Sequence, residues 1–161
     1  MVTKRATRFG RARLILYTGY MNLNIKRVSQ NAKIPTFAHM GDAGMDLYAV
    51  ENVTILPMER VQIKTGIALQ IPEEYVGLIW DKSGLSHKKG LKTLGGVVDA
   101  GYRGEVMIGV INLSTEAIVF EAGDKVAQML IQKVEHPEIV EVEELGDADR
   151  GMGAFGSTGA K

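Results

Sequence analysis

A carboxylate placed to activate a water, a serine placed to begin a helix and a glycine-rich tail with one aromatic ring are the features of this chain that could do chemistry. Asp99 stands between Val98 and Tyr102 at the end of an apolar run. A turn aspartate before Gly101 is the plainer reading, since Asp is a common turn former. Flanked in this way, however, Asp99 is expected to be partly desolvated and rigid, which suits a carboxylate that positions and activates a water. Ser83 and Gly84 follow Lys82. Ser is a favoured N-cap, and a helix beginning there would turn free N–H groups, the Ser83 hydroxyl and the Lys82 ammonium toward an anion. The tail carries Gly146, Gly151, Gly153, Gly156 and Gly159 around Phe155 and the pair Ser157-Thr158. Composition alone reads it as a disordered terminus. As a flap, its backbone amides could instead wrap phosphate oxygens while Phe155 offers a flat face to a base.

The elements that must position these residues have a period of two. Val61, Ile63 and Thr65 alternate with Gln62 and Lys64, Ile67, Leu69 and Ile71 continue the pattern, and Val140 and Val142 alternate with Glu141 and Glu143. Such alternation predicts half-buried strands. Residues 106–111 are apolar on both phases, as expected of a strand covered on both faces in a barrel core or a subunit interface. Turn signals recur at Gly41-Asp42, Pro57, Gly66, Pro72-Glu73, Gly95-Gly96, Gly101, Gly104, Gly123-Asp124 and His136-Pro137. The only helix expected is a short one from Ser83 through Leu85, Ser86 and His87 to Lys89. Many short strands between frequent turns predict an all-β barrel or jelly roll.

Composition bounds the rest. A chain of 161 residues predicts one domain whose core needs no staples, and the absence of cysteine removes thiol nucleophiles, Cys-based zinc and iron–sulfur clusters. It also suits a cytoplasmic setting. No apolar run approaches the roughly 18 residues of a membrane span. Five of the 19 basic residues fall within 1–20, which holds no acid, so 14 basic face 19 acidic residues, a net −5, over 21–161. A body of that sign does not grip a nucleic-acid backbone by its overall field, so an anionic ligand needs a local site. Residues 1–20 read as a disordered basic extension, with a loose likeness to an organellar transit peptide, residues 21–145 as the β domain, and residues 146–161 as the flap.

Five segments carry the polar and glycine residues: Ala43-Gly44-Met45-Asp46-Leu47, Asp81-Lys82-Ser83-Gly84-Leu85, residues 95–105, Gly123-Asp124-Lys125-Val126-Ala127-Gln128, and residues 150–159. In this order and spacing they closely resemble the five motifs of the homotrimeric dUTP diphosphatases (dUTPases), over about residues 21–161. The most specific is Arg-Gly-Met-Gly-Ala-Phe-Gly-Ser-Thr-Gly at 150–159. The resemblance implies a β-clip or distorted jelly-roll barrel, a homotrimer with C-terminal arm exchange, and sites assembled from all three chains. It implies Mg2+-assisted hydrolysis of dUTP to dUMP and pyrophosphate, which limits uracil incorporation into DNA and supplies dUMP for thymidylate synthesis. Asp99 would orient the water that attacks the α-phosphorus. Tyr102 would lie against the deoxyribose and exclude a 2′-hydroxyl, and Gln128 would place its amide on the phosphates. Gly96, Val97, Val98 and Met107 would line the nucleoside. Arg150 would reach the terminal phosphate, and Phe155, with Gly156, Ser157 and Thr158, would close over the uracil.

Asp46 reads either as a magnesium residue acting through waters, since this ion keeps several of them, or as a buried turn anchor. The segment Leu94-Gly95-Gly96-Val97-Val98-Asp99 is expected to be a narrow hairpin whose backbone pairs with the uracil edge and whose tightness rejects thymine. Two features depart from the family: Lys82 stands where arginine is usual, and this hairpin is about two residues short and lacks the common asparagine. Lysine keeps the charge but not the bidentate fork. Two rivals were weighed. The dCTP deaminases are similar around Val98-Asp99 and Asn112-Leu113-Ser114, but their proton-shuttling carboxylate aligns with Gly109. A non-catalytic nucleotide-binding regulator would have no use for the carboxylate at Asp99. His39, His87 and His136 have no metal-site spacing and read as surface or strand-end residues.

Overall fold

The computed structural model describes residues 21–149 and Gly151. The readings made for residues 1–20, Arg150, Phe155, Gly156, Ser157 and Thr158 lie outside the described residues. Among the described residues the elements run β1 (Asn24–Arg27), β2 (Met45–Tyr48), β3 (Val53–Ile55), β4 (Arg60–Gln70), β5 (Tyr75–Trp80), α1 (Ser83–Lys89), β6 (Leu91–Leu94), β7 (Val97–Val98), β8 (Glu105–Asn112), β9 (Ile118–Phe120) and β10 (Lys125–Lys133). They form two four-stranded sheets, ordered β1-β4-β8-β6 and β2-β10-β5-β7, and the pair β3-β9. All pairings are antiparallel. The architecture is the expected all-β, jelly-roll-like one.

Alternation explains how the sheets close on each other. Ile63 and Ile67 of β4 and Val106, Ile108 and Val110 of β8 meet Leu47 of β2, Met129 of β10 and Ile55 of β3 in a single apolar cluster. Burying one face of each strand in this cluster is the main favourable term of the fold. Helix α1 has the expected extent, but Lys82 and not Ser83 is its N-cap, with extended dihedrals and no side-chain capping bond. Ser83 is therefore already helical. Gly90 ends the helix in the left-handed region and donates its N–H to Ser86 O at 3.1 Å.

Several expectations are corrected. Gly66 is not a turn: it lies inside β4, where the register with β8 shifts between Lys64 and Ala68, and its φ of +69° makes a bulge. Within the chain strand β8 buries one face, Val106, Ile108 and Val110, while Met107 is exposed and Gly109 and Ile111 are half-buried, so the barrel-core form of the expectation does not hold. The alternation at residues 140–143 forms no strand. Ile139, Val140, Val142 and Leu145 are all exposed, and no strand among the described residues pairs with this segment. The segment 94–99 is a corner rather than a hairpin, with β6 pairing β8 in one sheet and β7 pairing β5 in the other. Gly95 (φ +71°) and Gly96 (φ +115°) make the crossing, and a Cβ on Gly96 would lie 2.7 Å from Ile79 O.

The fully buried Asn112 ties β8 to the rim. Its Nδ2 donates to Ile55 O at 3.0 Å and Glu116 O at 2.7 Å, and its Oδ1 accepts from the Ser114 N–H at 2.9 Å and the Ser114 hydroxyl at 2.8 Å. Removing this amide strands buried groups at about 1–3 kcal/mol. Asn112→Ala should therefore lower the urea midpoint by that equivalent, and an unchanged midpoint would contradict the assignment.

Candidate active site

Two segments distant in sequence, α1 with its N-cap and β10, converge on one open, cationic pocket of about 350 Å³ lined by Lys82, Ser83, Gly84, Lys89, Lys125 and Gln128. The β5–α1 junction supplies the first three, with the Ser83 and Gly84 N–H groups at the start of α1 left without helical acceptors while those of Leu85 and Ser86 donate to Lys82 O. Strand β10 supplies Gln128, whose Nε2 donates to Asp81 O at 2.9 Å. The β2 end makes room for it: a Cβ on Gly44 would lie 2.5 Å from Gln128 Oε1 and 3.2 Å from its Cβ. Lys125 and Lys89 were missed by the sequence reading. Residues 125 and 128 alternate to opposite faces of a regular strand, but the register of β10 against β2 shifts between Lys125 and Ala127, which puts both in the pocket. Lys125 did lie within one of the five motifs, which was the only signal available.

Asp46 is buried beside this pocket, 2% exposed. Lys82 Nζ bonds its Oδ1, and Lys125 Nζ lies 2.5 Å from its Oδ2, off the hydrogen-bonding direction, so Oδ2 has an ionic neighbour and no hydrogen bond. Burial opposes ionisation of Asp46, yet Lys125 and Lys82 against its two oxygens outweigh it and hold its carboxyl below the usual range. With an ammonium against each of its two buried oxygens, the contacts of Asp46 support the anchor reading over that of a residue holding magnesium through waters. No cluster of three or more His, Cys, Asp or Glu suited to a metal occurs among the described residues. His39, His87 and His136 are exposed.

A second, separate cleft of about 240 Å³ gathers Val97, Val98, Asp99, Tyr102, Met107 and Gln62. Gly96 adjoins it at the sheet corner. Its walls are apolar and open, with Val97, Tyr102 and Met107 exposed. The Tyr102 hydroxyl donates to Glu105 O at 2.9 Å, and Tyr102 N–H donates to Asp99 O at 3.1 Å, which fixes the 99–102 turn. The expectation that Asp99 is desolvated does not hold among the described residues: Asp99 is exposed, and none of them covers it. Val98 pairs with Gly77, so Asp99 lies near the start of β5, whereas Gln128 pairs with its last residue, Trp80, and Lys82 lies just beyond it. That separates the two clusters by about 15 Å along the strand. Gly109 carries no side chain where a deaminase needs its carboxylate, and a Cβ there would sit in tight contact, 3.0 Å from Leu94 O.

An anion pocket of lysines, serine and amide, with an apolar cleft bearing one carboxylate, defines a nucleotide-type site on an all-β scaffold. A family model described as dUTPase matches residues 30–159. A deoxyuridine 5'-triphosphate nucleotidohydrolase of Clostridium kluyveri is 47% identical over 86% of this chain and 99% of its own length, and that of Thermobifida fusca is 43% identical over 88% and 80%. A Staphylococcus bacteriophage 80alpha dUTPase mutant, solved with dUpNHpp, superposes with a TM-score of 0.83 at 33% identity over 86% of this chain and 99% of that one. A phage phi11 dUTPase mutant, described as coordinating a structural Mg(II) ion, superposes with a TM-score of 0.75 at 32% identity over 79% of this chain and 100% of that one. The chain belongs to the dUTPase family.

The depressed Asp46 carboxyl has a pH signature. Its contribution to folding is fully present above the unfolded value of about 3.9 and is lost as pH falls through the lower folded value. Asp46→Asn should therefore melt below the native chain at pH 7, and the gap should close as pH falls below about 4. A gap that persists unchanged at acid pH would contradict the ion-pair assignment.

Proposed function

We propose that this chain hydrolyses dUTP to dUMP and pyrophosphate, acting as a homotrimer in which the two clusters meet between copies. The observation that carries the reading is the convergence of Lys82, Ser83, Gly84 and Gln128, residues far apart in sequence, on one pocket fit for phosphate oxygens. Asp99 takes a proton from a water, the water oxygen attacks the α-phosphorus, and the bond to the pyrophosphate oxygen breaks as the leaving group departs. Ser83, Gln128, Lys82 and Arg150 hold the phosphates and the charge that develops on them. Tyr102 covers the sugar, and the 94–99 corner pairs its backbone with the uracil edge. Phe155, with Gly156, Ser157 and Thr158, closes the site and excludes water. Mg2+ belongs to the substrate in this reading, as the companion of the triphosphate, and Asp46 carries no step. Removal of dUTP would limit uracil incorporation into DNA and supply dUMP for thymidylate synthesis.

The division of the site supports the trimer. Among the described residues Asp99 is uncovered, Met107 and Val97 are open, and the alternating segment 140–143 has no strand partner. Each is the condition expected of a surface completed by a second copy, the last by an exchanged C-terminal arm.

Pyrophosphate release from dUTP, dCTP, dTTP and UTP in parallel tests the activity. The native chain should release it from dUTP alone, and Asp99→Asn should lower kcat by about 10²–10⁴-fold with folding intact. No release from any substrate would overturn the reading. Gly44→Ala, whose methyl displaces the Gln128 amide, should raise KM for dUTP about tenfold with little change in melting temperature. An unchanged KM would remove Gln128 from the phosphate site.

A further inference from the structure

Asp81 has no role in the mechanism above, yet more of the site hangs on it than on any other side chain outside that mechanism. It stands between Trp80, the last residue of β5, and Lys82. Its carboxylate is largely buried, with the side chain 18% exposed. Oδ1 accepts two hydrogen bonds from one residue across the sheets, from the Thr93 N–H at 2.7 Å and the Thr93 hydroxyl at 2.8 Å, while Oδ2 pairs with Lys92 Nζ. Its backbone carbonyl accepts the Gln128 amide. A single residue thus ties the start of the Gly95-Gly96 corner to the phosphate-facing amide and to the lysine beside it.

The corner is gripped at a second point by the same strand, where Ile79 N–H donates to Gly96 O at 2.7 Å. Thr93 on one side and Gly96 on the other are therefore both referenced to the end of β5. Only Leu94 and Gly95 lie between them, and Leu94 is held in register by Gly109 of β8. Two consecutive glycines with positive φ have wide conformational freedom, so a backbone that reads a base edge here requires external fixing. In a chain whose corner is this short, the Asp81 carboxylate provides that fixing. Burial works against its ionisation, but the bonds from Lys92 and Thr93 outweigh this and hold the carboxyl below its usual range, so the clamp is ionised at neutral pH.

We infer that Asp81 is the positioning residue that sets base discrimination in this enzyme, by clamping Thr93 at the entry to the 94–99 corner while its carbonyl orients Gln128. The inference rests on the proposed dUTP hydrolysis and adds a residue to it. Asp81 acts through Thr93.

The test measures kcat and KM for dUTP, dCTP and dTTP with the native chain, Asp81→Ala, Asp81→Asn, Thr93→Val and Thr93→Ser. Native activity on dUTP tests the underlying reading by itself. Given that activity, Asp81→Ala should raise KM for dUTP and reduce the ratio of kcat/KM for dUTP over dCTP or dTTP by about tenfold or more. Asp81→Asn keeps an acceptor for Thr93 and should retain most of the discrimination. Thr93→Val, which loses only the hydroxyl donor, should show a smaller loss of the same kind even if Asp81→Ala folds poorly, and Thr93→Ser should restore it. Base ratios unchanged in Thr93→Val and in a folded Asp81→Ala would overturn the inference. So would an equal fall in kcat on every nucleotide, the mark of a scaffold role only.

Discussion

A buried carboxylate that must keep two cations beside it is the constraint from which the phosphate pocket follows. Leaving Asp46 uncompensated in the core would cost several kcal/mol, so the fold has to bring Lys82 and Lys125 to it. These lysines come from the β5–α1 junction and from β10, and Asp46 itself comes from β2, directly opposite Gln128 in the β2–β10 register. Satisfying one charge therefore fixes the relative placement of three elements. It also leaves ammonium groups, the start of a helix and an amide facing the same opening. Lys82 is about a quarter exposed and Lys125 nearly half, so each can serve the buried carboxylate and an incoming anion together.

The second consequence of the architecture is division. The sheet β2-β10-β5-β7 carries the anion pocket at one end of β5 and the Asp99 cleft near the other, and the two share no lining residue. A triphosphate anchored at one end cannot present its α-phosphorus to a water held by Asp99 about 15 Å away along the same strand. Exposed Asp99, exposed Val97 and the half-covered β8 are accounted for together when another copy supplies the facing half. The 94–99 corner, clamped by β5, is where the two halves communicate within a chain.

Much of this was legible in the amino-acid order. Period-two runs marked the strands of the core, and the short helix was placed with its end at Lys89 but its cap one residue late; the motif segments contain Lys82, Ser83, Gly84 and Gln128, which line one pocket. What failed did so for identifiable reasons. Gly66 carries a turn residue's chemistry but is consumed by a bulge, and no local signal separates those uses of a positive φ. The Leu94-to-Asp99 segment has hairpin punctuation, yet its flanking strands join different sheets, a fact of topology rather than of local pattern. Asp99 was read as shielded because its neighbours are apolar, but apolar neighbours in sequence shield nothing until another surface is laid over them. Lys125 was hidden because strand alternation puts it out of phase with Gln128, and only the register shift in β10 restores it. Asp81 sat in plain view between Trp80 and Lys82, with a meaning that depends entirely on Thr93 arriving from the other sheet.

The claim on which the account stands is that each chain holds two half-sites that meet only between copies. It is tested most directly by refolding together two inactive variants, Asp99→Asn and Gln128→Ala, each of which keeps the half-site the other lacks. Recovery of dUTP hydrolysis in the mixed refold, with none when the variants are refolded apart, is the predicted result. A mixed refold that forms the same oligomer yet stays as inactive as its parents would contradict it.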